Sequence, residues 1–163
     1  MDLSTNEVYF GRLHPAARLP MKRAEDAGYD LYSVLSYAVC LSPGETRLIP
    51  TGICSAFSSD YVAVVKERGS TGSKGLGVRA GIIDSGYRGE WFVALTNHNP
   101  IPLVIGPDDV NLGDDIVHYP WSKAIAQFLF LPVPKMEIIE VDAETIQSQV
   151  SERGTGALGS SGK

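Results

Sequence analysis

The sequence predicts an all-β protein on the basis of three observations. Short runs of β-branched and aromatic residues recur along the chain. Turn residues rich in Gly and Pro separate many of these runs at intervals of about ten residues. Almost no segment shows the periodicity of an amphipathic helix. Many short strands joined by such turns are typical of a sandwich, a barrel or a jelly roll. We therefore expect a jelly-roll-like β-barrel with at most one short helix.

The predicted strands all lie within the first 139 residues. Their sequences are VYF at 8–10, AVCL at 38–41, RLI at 47–49, YVAVV at 61–65, GII at 81–83, WFVAL at 91–95, IAQFLF at 125–130 and MEII at 136–139. Turns are predicted between them at 43–44, 50–52 and 58–60. Only 143–150 has apolar residues at helical spacing, which predicts one or two turns of helix there.

Composition limits the classes of function. The chain has 163 residues, 14 Lys plus Arg against 19 Asp plus Glu, and a formal net charge of -5. This balance argues against a nucleic-acid partner, because such proteins carry a basic excess, but it allows a small anion in a local basic pocket. No apolar run of about 18 residues occurs that could span a membrane. The first ten residues lack the order of a signal peptide, and a cytoplasmic location is the expectation.

We expect one β domain over residues 1–150, followed by a flexible arm over 151–163. The arm is rich in Gly and Ser and has few apolar anchors, so its composition predicts mobility. Eleven of the 17 glycines fall in two stretches, 68–90 and 153–163. Glycines either form turns or let the backbone approach a ligand closely, and composition alone leaves both interpretations open.

Two segments contain residues suited to chemistry. VKERGSTGSKG at 65–75 follows a predicted strand and combines backbone N–H groups, hydroxyls and cations. This combination suits a phosphate, although the spacing of a P-loop is missing. AGIIDSGYRG at 80–89 predicts a hairpin with an Asp-Ser-Gly turn. Asp84 is either a turn residue or a general base, and its spacing does not decide between the two.

Five segments, taken in order, resemble the motifs of the trimeric dUTP pyrophosphatase (dUTPase) family. They are AGYDLYS at 27–33, ERGS at 67–70, GIIDSGYRG at 81–89, AIAQF at 124–128 and RGTGALGSSG at 153–162. The third and fifth are the most specific, and the set covers nearly the whole chain. The resemblance implies a β jelly roll that assembles as a homotrimer. Each active site would then use more than one subunit, with the C-terminal arm closing over the nucleotide.

The reaction implied by this resemblance is hydrolysis of dUTP to dUMP and pyrophosphate with Mg²⁺. It limits uracil in DNA and supplies dUMP for dTMP synthesis. Asp84 is implied as the catalytic carboxylate that orients or deprotonates the water attacking the α-phosphorus. Mg²⁺ is expected to be held mainly by the triphosphate, without direct protein ligands, and Asp30 is expected to have a supporting role.

The other site residues implied by the resemblance bind substrate. Four are expected to contact phosphates from the body of the domain: Arg68, Gly69, Ser70 and Gln127. Three are expected to hold the distal phosphate from the arm: Arg153, Ser160 and Ser161. The backbone of three residues is expected to form hydrogen bonds with uracil: Gly81, Ile82 and Ile83. Tyr87 would lie against the deoxyribose, where a 2′-hydroxyl would clash. A site built on such hydrogen bonds rejects analogues strongly.

The chain departs from the family pattern in three segments. They are ERG in place of PRS at 67–69, SKA in place of GDR or GDK at 122–124, and Leu in place of Phe at 158. The family's Phe covers the uracil ring. Leu158 is expected to contact the substrate at that position, and Phe92 or Trp91 is expected to supply the stacking ring instead.

Two alternative functions stay open beside dUTP hydrolysis. A dCTP deaminase resembles this family in fold and in the third motif, but it needs a catalytic Glu in the following strand, where this chain has Ala94. A nucleotide-binding regulatory protein with weak catalysis is favoured by Gly69 and Leu158, whereas Asp84 and Gln127 argue for an enzyme. The sequence does not support any particular regulatory partner.

Overall fold

The computed structural model describes residue 3 and residues 6–156. This part of the chain contains twelve strands and two short helices. The strands are β1 (Val8–Arg12), β2 (Tyr29–Leu31), β3 (Val39–Leu41), β4 (Thr46–Pro50), β5 (Ile53–Phe57), β6 (Tyr61–Lys66), β7 (Leu76–Arg79), β8 (Ile82–Ile83), β9 (Phe92–Asn97), β10 (Leu103–Gly106), β11 (Val117–Pro120) and β12 (Ala126–Pro132). The helices are α1 (Gly69–Gly72) and α2 (Ala143–Gln147).

The strands form four small sheets. Their strand orders are β1-β5, β11-β10-β3, β2-β12-β6-β8 and β4-β9-β7. Strands distant in sequence pair with one another, as β12 does with β2 and β6. Such long-range antiparallel pairing is typical of jelly rolls, and the prediction of an all-β, jelly-roll-like fold is confirmed.

The core of the protein is centred on aromatic side chains. Trp91 and Phe128 are fully buried, and their ring centroids lie 5.0 Å apart at an interplanar angle of 72°. Three further rings pack against Phe128: Phe10, Tyr29 and Phe130. Removing rings of this size from water is the main favourable contribution to the free energy of folding. β12, which carries Phe128, is thereby fixed beside β2 and β6.

Seven of the eight predicted strand segments overlap strands, and the prediction for 136–139 is wrong. Met136, Ile138 and Ile139 are 82%, 95% and 71% exposed, and no strand among the described residues pairs with them. A strand requires a neighbour to satisfy its backbone N–H and C=O groups. The sequence supplies the pattern of a strand here, but the rest of the described chain supplies no partner.

The prediction of at most one short helix is also wrong. α2 coincides with the first part of the predicted helix at 143–150, but α1 adds a second helical turn. The side-chain oxygen of Thr71 accepts a hydrogen bond from the Arg68 N–H at 2.9 Å, and Thr71 is fully buried. A local bond of this kind stabilises a turn that contains two glycines, which helix periodicity does not detect. No helix in the described part of the chain is both long and apolar enough to cross a membrane.

The predicted hairpin at 80–89 does not form. Its turn is present, because the Tyr87 N–H donates to the Asp84 carbonyl at 3.0 Å. However, β8 pairs with β6, whereas β9 pairs with β4 and β7. The strands on either side of the turn therefore enter different sheets, and the turn connects one sheet to the next.

Candidate active site

A cleft of about 700 Å³ lies beside β2, β6 and β12. Its lining includes residues of the loop that precedes β2, the segment Arg68–Ser70 that follows β6, and Gln127 of β12. The sheet register explains this arrangement, because Gln127 pairs with Asp30 on one side and with Lys66 on the other. Three of the five segments identified in the sequence therefore meet in one cleft.

An ion pair between Arg68 and Asp30 lies in the cleft wall. Arg68 Nε is 2.7 Å from Asp30 Oδ1, and Arg68 Nη2 is 3.3 Å from Oδ2. Arg68 Nη1 also donates to the Ser70 hydroxyl at 3.1 Å. Both charged side chains are about 30% exposed. A bidentate contact fixes the plane of a guanidinium, so Asp30 orients Arg68 within the cleft.

Gly69 stands where the family pattern has Ser. A Cβ atom at this position would meet no atom within 4 Å beyond its chain neighbours and the backbone of its own helical turn. The fold of the described chain therefore leaves room for the hydroxyl that is missing, and the glycine is not required by packing. The backbone of the segment is held instead by the bond between the Arg68 N–H and Thr71 described above.

Gln127 is held on two sides. Its Nε2 donates to the Glu67 carbonyl at 2.8 Å. Its Oε1 lies only 2.5 Å from the position that a Cβ on Gly28 would occupy. Any side chain at Gly28 would displace the amide, so the observed position of the amide depends on glycine at residue 28. Gly28 in the first segment is therefore necessary for the position of Gln127 in the fourth.

Glu67 connects the cleft to the neighbouring sheet. Its Oε1 accepts a hydrogen bond from the Val78 N–H at 2.7 Å, and its Oε2 is 3.2 Å from Lys66 Nζ. Partial burial raises the pKa of Glu67, whereas these hydrogen bonds and the charge of Lys66 lower it. The lowering effects together are larger, so the pKa of Glu67 lies below its ordinary value. The side chain is therefore ionised at neutral pH. The sequence identified Glu67 only as a departure from a pattern.

The uracil-reading segment proposed from the sequence lies on an edge strand. β8 is the last strand of the sheet β2-β12-β6-β8. The Val65 N–H donates to the Gly81 carbonyl at 2.7 Å, and a side chain at Gly81 would collide with the Val65 carbonyl oxygen. Ala80 has a positive φ of 49°. On its other side β8 has no strand partner among the described residues, so backbone groups along this edge are free for other partners.

The turn after β8 presents Asp84 and Tyr87 to solvent. Tyr87 is 44% exposed, and its hydroxyl donates to the Glu90 carbonyl at 2.9 Å. Phe92 is 40% exposed at the start of β9. Trp91 is fully buried, and its indole N–H donates to the Ser55 hydroxyl at 3.1 Å. The suggestion that Trp91 supplies a stacking ring is therefore wrong, and Phe92 is the accessible ring of the two.

Asp84 and the cleft lie at opposite ends of β6. β8 runs antiparallel to β6, with Ile83 beside Ala63. Continuing this register places Asp84 beside Val62, six residues before Arg68. An extended chain rises ~3.3 Å per residue, so the backbones of the two residues are separated by roughly 20 Å. The single chain does not bring Asp84 to the phosphate-suited cleft.

The arm is described only up to residue 156. Arg153 is exposed, its Nε donates to the Gly156 carbonyl at 3.2 Å, and it is not among the described residues that line the cleft. The predictions for Leu158, Ser160 and Ser161 lie outside the described residues.

The β-barrel thus carries a cation-bearing cleft at one end of β6 and a carboxylate-bearing turn at the other, and a cleft of this kind is suited to a phosphate-bearing ligand. The family model for dUTPase matches residues 14–109. The deoxyuridine 5′-triphosphate nucleotidohydrolase of Gloeobacter violaceus is 37% identical over 140 residues, covering 84% of this chain and 83% of that protein. The enzyme of the same name from Mycobacterium leprae is 37% identical over 162 residues, covering 93% and 92% of the two chains. The chain belongs to the dUTPase family.

Solved structures of phage proteins agree with this assignment. The dUTPase of Staphylococcus bacteriophage 80alpha, determined with dUpNHpp, is 29% identical with a TM-score of 0.74, covering 98% of this chain and all of that one. A point variant of the dUTPase from phage phi11 of S. aureus, described with a structural Mg(II) ion, is 26% identical with a TM-score of 0.66, covering 84% of this chain and 97% of that one.

Proposed function

We propose that this protein is a dUTP diphosphatase that hydrolyses dUTP to dUMP and pyrophosphate with Mg²⁺. One observation carries the proposal. In a chain of the dUTPase family, Arg68 and Gln127 lie in one cleft, and a distant turn presents Asp84. This reaction would limit the incorporation of uracil into DNA and supply dUMP for dTMP synthesis. An enzyme of the free nucleotide pool is expected in the cytoplasm.

The triphosphate would bind in the cleft. Arg68, oriented by Asp30, offers the planar donor set that suits a phosphate. The exposed Ser70 hydroxyl and the Gly69 N–H lie on the same segment, and the amide of Gln127 lies on the neighbouring strand. These neutral groups can donate hydrogen bonds to the phosphates beside the Arg68 cation. A triphosphate can therefore bind locally although the net charge of the chain is -5.

Uracil would pair with the free edge of β8. Backbone donors and acceptors of Gly81 to Ile83 along an edge strand can form hydrogen bonds with the polar edge of the base, as they would with an added strand. Cytosine has an amino donor where uracil has a carbonyl acceptor, and an acceptor nitrogen where uracil has an N–H donor. Bound in the same position, it would leave backbone groups of the protein unpaired, which is a large penalty for a wrong substrate. Tyr87 would pack on the deoxyribose, and Phe92 would stack on the base where Leu158 replaces the family's Phe.

Asp84 would orient and deprotonate the attacking water. The oxygen of that water forms a bond to the α-phosphorus while the bond from the α-phosphorus to the oxygen bridging the α- and β-phosphates breaks, and pyrophosphate leaves. A positioned general base contributes about 10²–10⁴-fold to such a rate. Because Asp84 is exposed in the single chain, the bound nucleotide and a neighbouring copy would have to exclude solvent from it.

Mg²⁺ would be held mainly by the triphosphate, a binding mode that this ion favours. The cleft lining includes Asp26 and Asp30, whose carboxylate oxygens are of the type that accepts hydrogen bonds from the water ligands of Mg²⁺. When bound, the ion would neutralise charge developing on the leaving pyrophosphate. The protein's contribution would be to hold the metal–triphosphate complex against Arg68 and Gln127.

The complete site would form in a homotrimer. The separation of roughly 20 Å between Asp84 and Arg68 requires different copies to supply them to one nucleotide. Residues 131–150 also carry exposed apolar side chains that an assembly would cover: Leu131, Val133, Met136, Ile138, Ile139, Val141, Ile146 and Val150. A neighbouring copy would supply the partner that the strand-like segment 136–139 lacks. The arm, residues 151–163, would then close over a nucleotide with Arg153, Ser160 and Ser161.

Pyrophosphate release from dUTP, dCTP, dTTP and UTP with Mg²⁺ tests the proposal. We expect turnover of dUTP with strong discrimination against the other three. Ammonia release from dCTP would support the deaminase alternative, which the buried Ala94 in the middle of β9 disfavours. Nucleotide binding without turnover of any substrate would contradict the enzyme proposal and favour a regulatory protein of this fold.

A further inference from the structure

Glu67 stands at the junction between the phosphate-suited cleft and the neighbouring sheet. We infer that Glu67 is a positioning residue for the proposed dUTP hydrolysis: its carboxylate tethers the segment that carries Arg68, and its carbonyl holds the amide of Gln127. The inference rests on the proposed function. It concerns a residue at which this chain departs from the family's usual Pro.

The tether is the hydrogen bond from the Val78 N–H to Glu67 Oε1 at 2.7 Å. β7, which contains Val78, is an edge strand of the sheet β4-β9-β7. The side chain of Glu67 therefore takes the place of a neighbouring strand for this N–H group. A hydrogen bond to an ionised acceptor is about twice as strong as one between neutral groups, and the lowered pKa of Glu67 keeps the acceptor charged.

The same residue orients the two cleft side chains next to it. Its backbone carbonyl accepts the hydrogen bond from Gln127 Nε2 at 2.8 Å. Arg68 follows it directly in the chain and reaches Asp30 from there. A displacement of the backbone at residue 67 would move the amide and the guanidinium together, which are the two groups proposed to bind phosphate.

The replacement of Pro explains why a tether is needed. A proline ring fixes φ and so restrains the segment by itself, whereas Glu leaves φ free and Gly69 adds further backbone freedom. Thr71 anchors the far end of the segment through the Arg68 N–H. The carboxylate of Glu67 anchors the near end, and both restraints act across the residues that line the cleft.

The alternative is that Glu67 is only a surface carboxylate paired with Lys66. The Lys66 side chain is 56% exposed, and such exposed pairs contribute little to stability. On that interpretation, removing the Glu67 side chain would leave nucleotide binding unchanged. The two interpretations therefore predict different results for substrate binding.

Glu45 provides a matched control in the same chain. Its Oε2 accepts a hydrogen bond from the Ser42 N–H at 2.7 Å, and it pairs with Arg47. Its side chain is 30% exposed, compared with 29% for Glu67. Glu45 thus makes the same kind of contact outside the cleft lining, and E45A reports the effect of losing such a contact away from the site.

The experiment compares E67A, E67D, E67Q and E45A in the full chain. KM and kcat for dUTP are measured with Mg²⁺, pyrophosphate binding is measured by calorimetry, and melting curves confirm folding. We expect E67A to raise KM about tenfold, because a hydrogen bond to a charged group is lost, with a smaller change in kcat. E67D, whose carboxylate is one methylene too short, should behave like E67A. E67Q, whose amide oxygen can still accept from Val78, should restore most of the affinity.

An E67A enzyme with the KM of E45A would overturn the inference, as would an E67D enzyme with the wild-type KM or an E67Q enzyme no better than E67A. Failure of the proposed function is a separate outcome, because the wild-type protein would then release no pyrophosphate from dUTP. In that case, calorimetry with pyrophosphate still tests the tether. Equal affinities of E67A and E45A for pyrophosphate would refute it independently.

Discussion

Two inactive variants of this protein should restore each other's activity when they share one assembly. D84N removes the proposed water-activating carboxylate, and R68Q removes the guanidinium that Asp30 orients in the cleft. The register of β6 and β8 separates Asp84 from Arg68 by roughly 20 Å within a chain. Asp84 is proposed to act at the α-phosphorus and Arg68 at the phosphates, which lie within a few bonds of each other in one nucleotide. Because this span is much shorter than the separation within a chain, one chain cannot supply both groups to the same nucleotide. In a mixed trimer, one copy can supply Asp84 while its neighbour supplies Arg68.

The size of the recovery follows from the symmetry of the proposed homotrimer. In a closed ring of this kind, each site would take Asp84 from one copy and Arg68 from the next. Random exchange of equal amounts of the two variants then leaves about one site in four with both groups intact. Pyrophosphate release from dUTP should recover to about a quarter of the wild-type rate per site if the sites act independently.

The assay requires proof that the subunits have exchanged. The two variants carry different mass tags, are mixed under mild denaturation, returned to buffer and examined by native mass spectrometry before turnover is measured. D84N mixed with the double variant D84N/R68Q is the matched control, because every site then lacks Asp84 and no recovery is expected. Mixed trimers of D84N and R68Q that stay inactive would refute the divided site.

Three further predictions concern the turn that carries Asp84, the core and acid stability. D84N should lower kcat for dUTP by about 10²–10⁴-fold while leaving its Kd for dUMP, measured by calorimetry, close to the wild-type value; wild-type turnover would remove Asp84 from the mechanism. Phe128→Ala should lower the free energy of unfolding by about 3–5 kcal/mol in urea titrations, because it opens a cavity among the core rings; a loss below about 1 kcal/mol would contradict the packing described for Phe128. The pKa of Glu67 is lowered in the folded protein, so its contribution to stability is present above its ordinary pKa of 4.5 and is lost as the pH falls through the folded value. The wild-type melting temperature should therefore exceed that of E67Q at pH 7, and the difference should vanish in acid; a difference that grows in acid would show that the sign is wrong.

The segments that identify the family could be predicted from the sequence because their information is local. Short β-branched runs and Gly/Pro turns predicted the fold class, and their positions match β1, β3, β4, β6, β8, β9 and β12. The first, second and fourth segments were each recognisable by their resemblance to motifs of the family. Their meeting in one cleft follows from the pairing of β12 with β2 and β6, which local patterns do not specify.

What the tertiary structure decided is which groups become neighbours. A turn at 84–87 is evident from its residues, but only the sheet pairing shows that β8 and β9 separate there. The strand-like pattern of 136–139 is genuine, yet the described chain offers it no partner. Similarly, the contact between Glu67 and Val78 joins the segment after β6 to β7, a strand with which β6 does not pair. The sequence by itself determined the fold class and predicted residues of the site. Backbone hydrogen bonds between segments distant in sequence decide which residues become neighbours, so only the structure shows that Asp84 lies far from Arg68.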